Sequence, residues 1–158
     1  MNIGDLAPTF NAHDDHDCPI SLNDFKGSWL VLYFYPKDST PGCSIEAAKF
    51  EAILPDLMVN GAKLVGVSTD SGASHQGFRE KCDLTFPLIP DTTKAVSKAY
   101  GVLGGLTGLF GVADRQTFLI DPDGKLAFHW RRVNLYMHAV EVKQELERQR
   151  AQPQGVSR

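Results

Sequence analysis

Apolar residues along this chain come in short continuous runs, separated by longer stretches in which they recur at helical spacing. Trp29 to Tyr35 is the densest run, and its length and aromatic content fit a buried central strand better than a helix. Lys63 to Ser68 reads as a second buried strand. Gln116 to Ile120 and Lys125 to Trp130 flank Asp121-Pro122-Asp123-Gly124, a strong turn signal, and predict a β-hairpin. Near the start, Pro8 to Leu22 reads as an N-terminal hairpin of two short strands around a polar turn.

Between these runs the pattern turns helical. From Cys43 the residues Ala47, Ala48, Phe50, Ala52, Ile53 and Leu54 predict a helix that Pro55 kinks or restarts before Gly61 stops it. Ser74 caps a helix through Lys81 or Cys82, and Leu84 to Ile89 is extended, limited by Pro87 and Pro90. Asp91 caps a helix over Thr92 to Tyr100, with Gly101 as its stop. The glycine-rich stretch Gly101 to Asp114 carries Val102, Leu103, Leu106, Leu109, Phe110 and Val112, too apolar for a plain solvated loop, and is expected to cover something or to form a subunit contact. A polar helix runs from about His138 to Arg150, and Ala151 to Arg158 reads as a disordered tail. Strands alternating with helices indicate an α/β fold, a central mixed sheet flanked by helices with an N-terminal β-hairpin extension.

Length and composition narrow the picture. A chain of 158 residues supports one well-buried core, so a single domain over residues 1–150 is expected. Met1 to Asp5 has no basic segment followed by an apolar run, and no stretch approaches a membrane span, which predicts a soluble cytoplasmic protein. The net charge is −3 and the basic residues are scattered apart from Arg131-Arg132, which disfavours nucleic acid as a partner. Cys18, Cys43 and Cys82 are odd in number and widely spaced, a poor disulfide scaffold and a poor zinc site. His13-Asp14-Asp15-His16-Asp17-Cys18 holds ligand-type residues, but as adjacent positions pointing to different sides; a solvated hairpin loop is the better reading.

Candidate chemistry concentrates at Tyr35-Pro36-Lys37-Asp38-Ser39-Thr40-Pro41-Gly42-Cys43-Ser44-Ile45-Glu46, which leads from a strand into a helix beginning at Cys43. A thiol at a helix N-terminus sees unpaired N–H groups and the positive end of the helix dipole, both of which favour thiolate. Pro36 and Pro41 stiffen the loop, Gly42 permits close approach to the backbone, and Thr40 places a hydroxyl three residues before the cysteine. Such a site suits attack on a small electron-poor oxygen or sulfur atom.

The spacing Pro36, Thr40, Cys43 resembles the Pro-x-x-x-Thr-x-x-Cys signature of the peroxiredoxins. Tyr33 to Asp38 with Thr40 to Cys43 is similar to the bacterioferritin-comigratory, or peroxiredoxin Q, class, as are Lys63 to Ser68, Phe86-Pro87-Leu88, Lys98 to Val102 and Arg115 to Asp121. The resemblance runs from about Gly4 to Glu147. It implies a thioredoxin-like fold and reduction of hydrogen peroxide or organic hydroperoxides without metal or bound cofactor. By position, it makes Cys43 the peroxidatic nucleophile, Thr40 the hydrogen-bonding hydroxyl, Pro36 the residue shielding the sulfur, and Arg115 the cation that stabilises the thiolate and orients the peroxide. Glu46 also matches a residue common in the class, though a first-turn glutamate can equally serve the helix dipole.

Regeneration is less determined. The resolving cysteine that many class members keep five positions after the nucleophile is Ala48 here. Cys82 is the resolving candidate, with thioredoxin or another external thiol as the alternative reductant and Cys18 as a weaker third option. Cys82 lies four residues after Phe78, about 40° around a helix, so the two share a face. A Cys43–Cys82 bond needs the Cα atoms within about 7 Å and therefore some unwinding at a helix end, which Asp83, Thr85 and Pro87 would ease. Competing readings are a thioredoxin-type disulfide oxidoreductase, which lacks its Cys-x-x-Cys pair here, and a non-enzymatic holdase or interaction protein. A monomer or homodimer is expected.

Overall fold

A computed structural model of the chain describes residues 1–152, the side chains at 106 and 107 excepted. The predicted tail thus lies almost wholly outside the described residues; its first residue, Ala151, ends a helix. The elements in order are β1 (Asn11–His13), β2 (Pro19–Ser21), a 3₁₀ turn (Leu22–Phe25), β3 (Trp29–Phe34), α1 (Pro41–Val59), β4 (Ala62–Ser68), α2 (Gly72–Cys82), β5 (Leu88–Pro90), α3 (Ala95–Ala99), a second 3₁₀ turn (Leu106–Phe110), β6 (Gln116–Ile120), β7 (Leu126–Trp130) and α4 (His138–Ala151).

The five-stranded sheet has the order β5-β4-β3-β6-β7, and β1 pairs with β2 in a separate N-terminal hairpin. The central strand β3 runs parallel to β4 and antiparallel to β6. Every residue of β3 is buried, because its alternating side chains feed two cores. Val31 and Tyr33 face a core with Phe50 and Leu57 of α1, Phe78 of α2 and Val142 of α4. Leu30, Leu32 and Phe34 face the other, with Phe10, Ile20, Phe25 and Tyr100. A continuous apolar run is what a strand covered on both sides requires.

Local details differ from the sequence reading. Helix α1 begins at Pro41 with Thr40 as its N-cap, since proline at the first helical position lacks only an N–H that would be unpaired there anyway. It also runs through Pro55 without a break, held on either side of the proline by buried Leu54 and Leu57. The cap of α2 is Ser71, whose hydroxyl accepts the Ser74 N–H at 3.2 Å. Helix α3 is shorter than predicted, yet the Asp91 carboxylate still accepts the N–H groups of Val96 and Ser97. The loop after α3 buries Val102 and Ala113 but leaves Leu109 and Phe110 more than 80% exposed at its tip.

The hairpin expected to be a solvated loop is tied into the fold. Asp15 has a fully buried carboxylate, paired with Arg79 of α2 at 2.6 and 2.8 Å. Burial alone would raise its pKa, but the Arg79 guanidinium and the Leu88 N–H hold it below the usual carboxylate value. Arg79 also donates to the carbonyls of Leu84 and Phe86, so one side chain staples the segment after α2. Glu51 of α1 adds a second tie to that segment, accepting from the Thr85 N–H and hydroxyl.

Candidate active site

The loop Tyr35–Thr40 leaves the C-terminal end of β3 and delivers the chain into α1. Cys43 is the third residue of that helix, not the first, and is only 1% exposed. The first intrahelical bond runs from the Ser44 N–H to the Thr40 carbonyl at 2.9 Å. The Gly42 and Cys43 N–H groups precede it and are left unclaimed by the helix, available to a negative charge at the sulfur.

Arg115 arrives from the far end of the sequence by strand register. In the antiparallel β3–β6 pair, Phe34 is opposite Gln116, so the residue before Gln116 stands at the edge where the cysteine loop begins. Alternation along β6 puts Arg115 on the same face as Thr117 and Leu119, the face of α1 and α4. Its Nη2 donates to Cys43 Sγ at 3.4 Å and its Nη1 to Glu46 Oε1 at 2.7 Å. Glu46 is 2% exposed; burial, partly opposed by Arg115, raises its pKa to about 7. Burial opposes the charge on Arg115, but Glu46 and Cys43 outweigh it and raise its pKa further.

Two predicted features act differently from expectation. The Thr40 hydroxyl donates to the Lys37 carbonyl at 2.9 Å, closing the loop on itself while its oxygen keeps lone pairs for another donor. A Cβ at Gly42 would stand 3.2 Å from Arg115 Nη2 and 3.2 Å from Leu135 Cδ1; the glycine makes room for the arginine. Pro36 is half-buried directly after buried Tyr35. Cys82 is half-buried at the end of α2 and packs against the same core as Cys43, with Phe78 fully buried one turn earlier. Asp83, in the left-handed region at φ 52°, closes that helix, and the Arg79 and Glu51 ties oppose the fraying expected there. Cys18 is exposed in the hairpin and Ala48 is exposed on α1.

Beneath the loop lies a polar cluster that sequence reasoning missed. The Asp38 carboxylate accepts from the Tyr35 hydroxyl at 2.7 Å and the Ser74 hydroxyl at 2.8 Å, and meets His75 Nδ1 at 2.6 Å. Asp38, Asp70 and His75 lie close enough together to suggest metal ligands. Their facing atoms are occupied otherwise: Asp70 Oδ2 accepts from the Asp38 N–H and the Ser68 hydroxyl, and His75 Nε2 meets the Ile89 carbonyl. The one available signal was a carboxylate in a proline-stiffened loop directly after a buried strand.

A sheltered thiol at a helix start, paired with a guanidinium on a thioredoxin-like sheet, defines a thiol redox protein. The chain belongs to the AhpC/TSA family, whose model matches residues 3–129. It is 39% identical to peroxiredoxin Bcp of Bacillus subtilis (strain 168) over 151 residues, covering 93% of this chain and 96% of that one. Among solved structures it is similar to a cysteine-to-serine mutant of Xylella fastidiosa PrxQ, with a TM-score of 0.88 and 38% identity over 94% of this chain and 97% of that one. The bacterioferritin comigratory protein of Xanthomonas campestris, solved as trapped intermediate/ligand complexes, gives a TM-score of 0.84 at 36% identity, covering 89% and 92%. Within the family this is a peroxiredoxin of the Bcp/Q class, a thiol-dependent peroxidase. No described helix is long and apolar enough to cross a membrane.

Proposed function

We propose that Cys43 is the peroxidatic nucleophile and that Arg115, Thr40 and Pro36 complete its site. The observation that carries this reading is the two-ended grip of Arg115, one nitrogen on the Cys43 sulfur and the other on buried Glu46. The guanidinium stabilises negative charge on the sulfur and offers fixed donors to a peroxide oxygen. The thiolate attacks one oxygen of ROOH, the O–O bond breaks, and the leaving alkoxide or hydroxide takes a proton from solvent to give alcohol or water. Cys43 is left as sulfenic acid. The Gly42 and Cys43 N–H groups, unclaimed by the helix, are available to stabilise the charge that develops, Thr40 offers its hydroxyl oxygen to the peroxide proton, and Pro36 limits water at the sulfur. The Xanthomonas campestris relative is described by its alkyl peroxide reduction activity, which supports organic hydroperoxides beside hydrogen peroxide as substrates here.

Regeneration proceeds through Cys82 or an external thiol such as thioredoxin, in a cytoplasmic setting. The packing of Cys82 on the core of Cys43 supports the first route, and the ties on the segment after α2 support the second. Cys43→Ser is expected to fold normally and lose peroxidase turnover; retained turnover would overturn the assignment. Peptide mass mapping after one equivalent of peroxide separates the routes, a Cys43–Cys82 crosslink marking the first and an unpaired oxidised Cys43 the second.

A further inference from the structure

We propose that Asp38 and His75 form a positioning clamp that fixes the Pro36–Thr40 loop to α2 and so holds the Cys43 end of α1 in its reacting geometry. The clamp rests on Cys43 as the reacting thiol. Asp38 stands two residues before the N-cap of α1 and is gripped twice. Its N–H donates to Asp70 Oδ2 at 2.8 Å, which fastens the loop main chain to the end of β4. Its carboxylate, with the side chain 2% exposed, receives Tyr35, Ser74 and His75, the last fully buried.

Between the clamp and the cap lies Ser39, at φ +62°. A non-glycine residue in that region is strained and persists only where its surroundings hold it. Asp38 on one side and the Thr40 hydroxyl on the Lys37 carbonyl on the other supply that hold.

Proton placement makes the clamp specific. His75 Nε2 faces the Ile89 carbonyl at 3.0 Å, a pure acceptor, so Nε2 carries a hydrogen. Nδ1 faces a carboxylate oxygen at 2.6 Å, so the contact closes only with a further proton between them. Burial would push His75 down, but the hydrogen bond and charge of Asp38, the Ile89 carbonyl and the charge of Asp70 keep it above the ordinary histidine value.

The clamp bears on both halves of the cycle. Closed, it sets the loop that presents the sulfur. Because Cys43 is 1% exposed, a reducing thiol reaches it only when the loop opens, and opening parts Asp38 from Ser74 and His75.

The test compares wild type with Asp38→Ala, Asp38→Asn and Ser74→Ala in the full chain. It measures single-turnover oxidation by hydrogen peroxide and, by peptide mass, iodoacetamide labelling of reduced Cys43 and Cys82. Asp38→Ala is expected to raise Cys43 labelling about tenfold and lower oxidation about tenfold, with Cys82 labelling within about twofold of wild type. Asp38→Asn should recover most of both, because its amide can donate to Nδ1 of a neutral His75 and still accept from Tyr35. Ser74→Ala removes one donor and should raise Cys43 labelling about threefold, which keeps the test decisive if Asp38→Ala does not fold. Unchanged Cys43 labelling in the Asp38→Ala and Ser74→Ala proteins overturns the clamp, as does Cys82 labelling that rises in step. Labelling reports on the loop whether or not peroxide reacts there; an error in the nucleophile assignment would show separately, as turnover surviving Cys43→Ser.

Discussion

Glu46 holds Arg115 in place for Cys43: its Oε1 takes Nη1 at 2.7 Å while Nη2 remains on the sulfur at 3.4 Å. The second carboxylate oxygen, Oε2, is buried with no hydrogen-bond partner among the described residues, so the charge of Glu46 depends on Arg115. Arg115→Ala is expected to slow oxidation of Cys43 by about 100-fold or more. Arg115→Lys should recover little, since a single ammonium cannot reach both partners in a fixed fork. Stopped-flow oxidation by hydrogen peroxide reads the difference, and near-wild-type rates in the lysine variant would contradict it.

Glu46 also imposes a pH dependence on stability. Its pKa is about 7 in the folded chain against about 4.3 unfolded, so between those values the folded state holds the extra proton. Stability from this group is therefore full below about pH 4.3 and declines as pH rises to about 7. Glu46→Gln removes that decline. Denaturant melts at pH 5 and pH 8 should show the glutamine variant gaining on wild type at the higher pH.

His138 works in the opposite sense. Burial, with a smaller contribution from the charge of Arg115, lowers its pKa to about 4. Its Nε2 meets the Thr117 hydroxyl at 2.7 Å between the rings of Phe50 and Trp130. A buried neutral histidine contributes stability that is present above the unfolded value of about 6.5 and lost as pH falls toward 4, on the order of 2–3 kcal/mol. Glu46 and His138 oppose each other between pH 5 and 7, while His129, which burial and the charge of Arg131 also lower to about 4, adds to the acid-sensitive side. Glu46→Gln should then steepen the loss of stability as pH falls toward 5, and adding His138→Gln should remove part of that steepening, leaving the share due to His129.

Gly42 separates stability from activity. Alanine is the better helix former by about 1 kcal/mol, yet its Cβ would press Arg115 and Leu135 at 3.2 Å. Gly42→Ala is expected to melt at or above the wild-type temperature while oxidising several-fold more slowly. A variant as fast as wild type would mean that the guanidinium has room to shift.

Arg79 tests the route of regeneration. Arg79→Ala strands the buried Asp15 carboxylate and frees the carbonyls of Leu84 and Phe86, and should cost about 3–5 kcal/mol. If Cys82 resolves Cys43, loosening the end of α2 should also speed formation of the Cys43–Cys82 crosslink. A destabilised variant in which Cys43 still oxidises without a partner would favour the external thiol.

The strands and the cysteine loop were legible because each is a local pattern: apolar runs, a proline-glycine turn, a thiol at a helix start. Arg115 was named through family resemblance alone; spacing could not place it, since the register of β6 on β3 joins residues 72 apart in sequence. The Asp38–His75 and Asp15–Arg79 pairs were invisible for a related reason. Polar residues in a loop and on a helix read as solvated unless their partners, 37 and 64 positions away, are known to be buried with them. Pro55 misled because its helix-breaking tendency is local, whereas the packing of Leu54 and Leu57 that sustains α1 is tertiary.

The pairing of Phe34 with Gln116 determines which insertions and deletions this peroxidase can survive. Length changes in the Asp121–Gly124 turn fall beyond the paired stretch and leave the guanidinium where it is. A single residue gained or lost between Gln116 and the strand's partner positions in Leu30–Phe34 would turn Arg115 to the opposite side of the sheet, into the core of Phe10 and Tyr100. Such a lineage would keep a folded sheet and an intact cysteine loop, and lose the cation that the thiol works with.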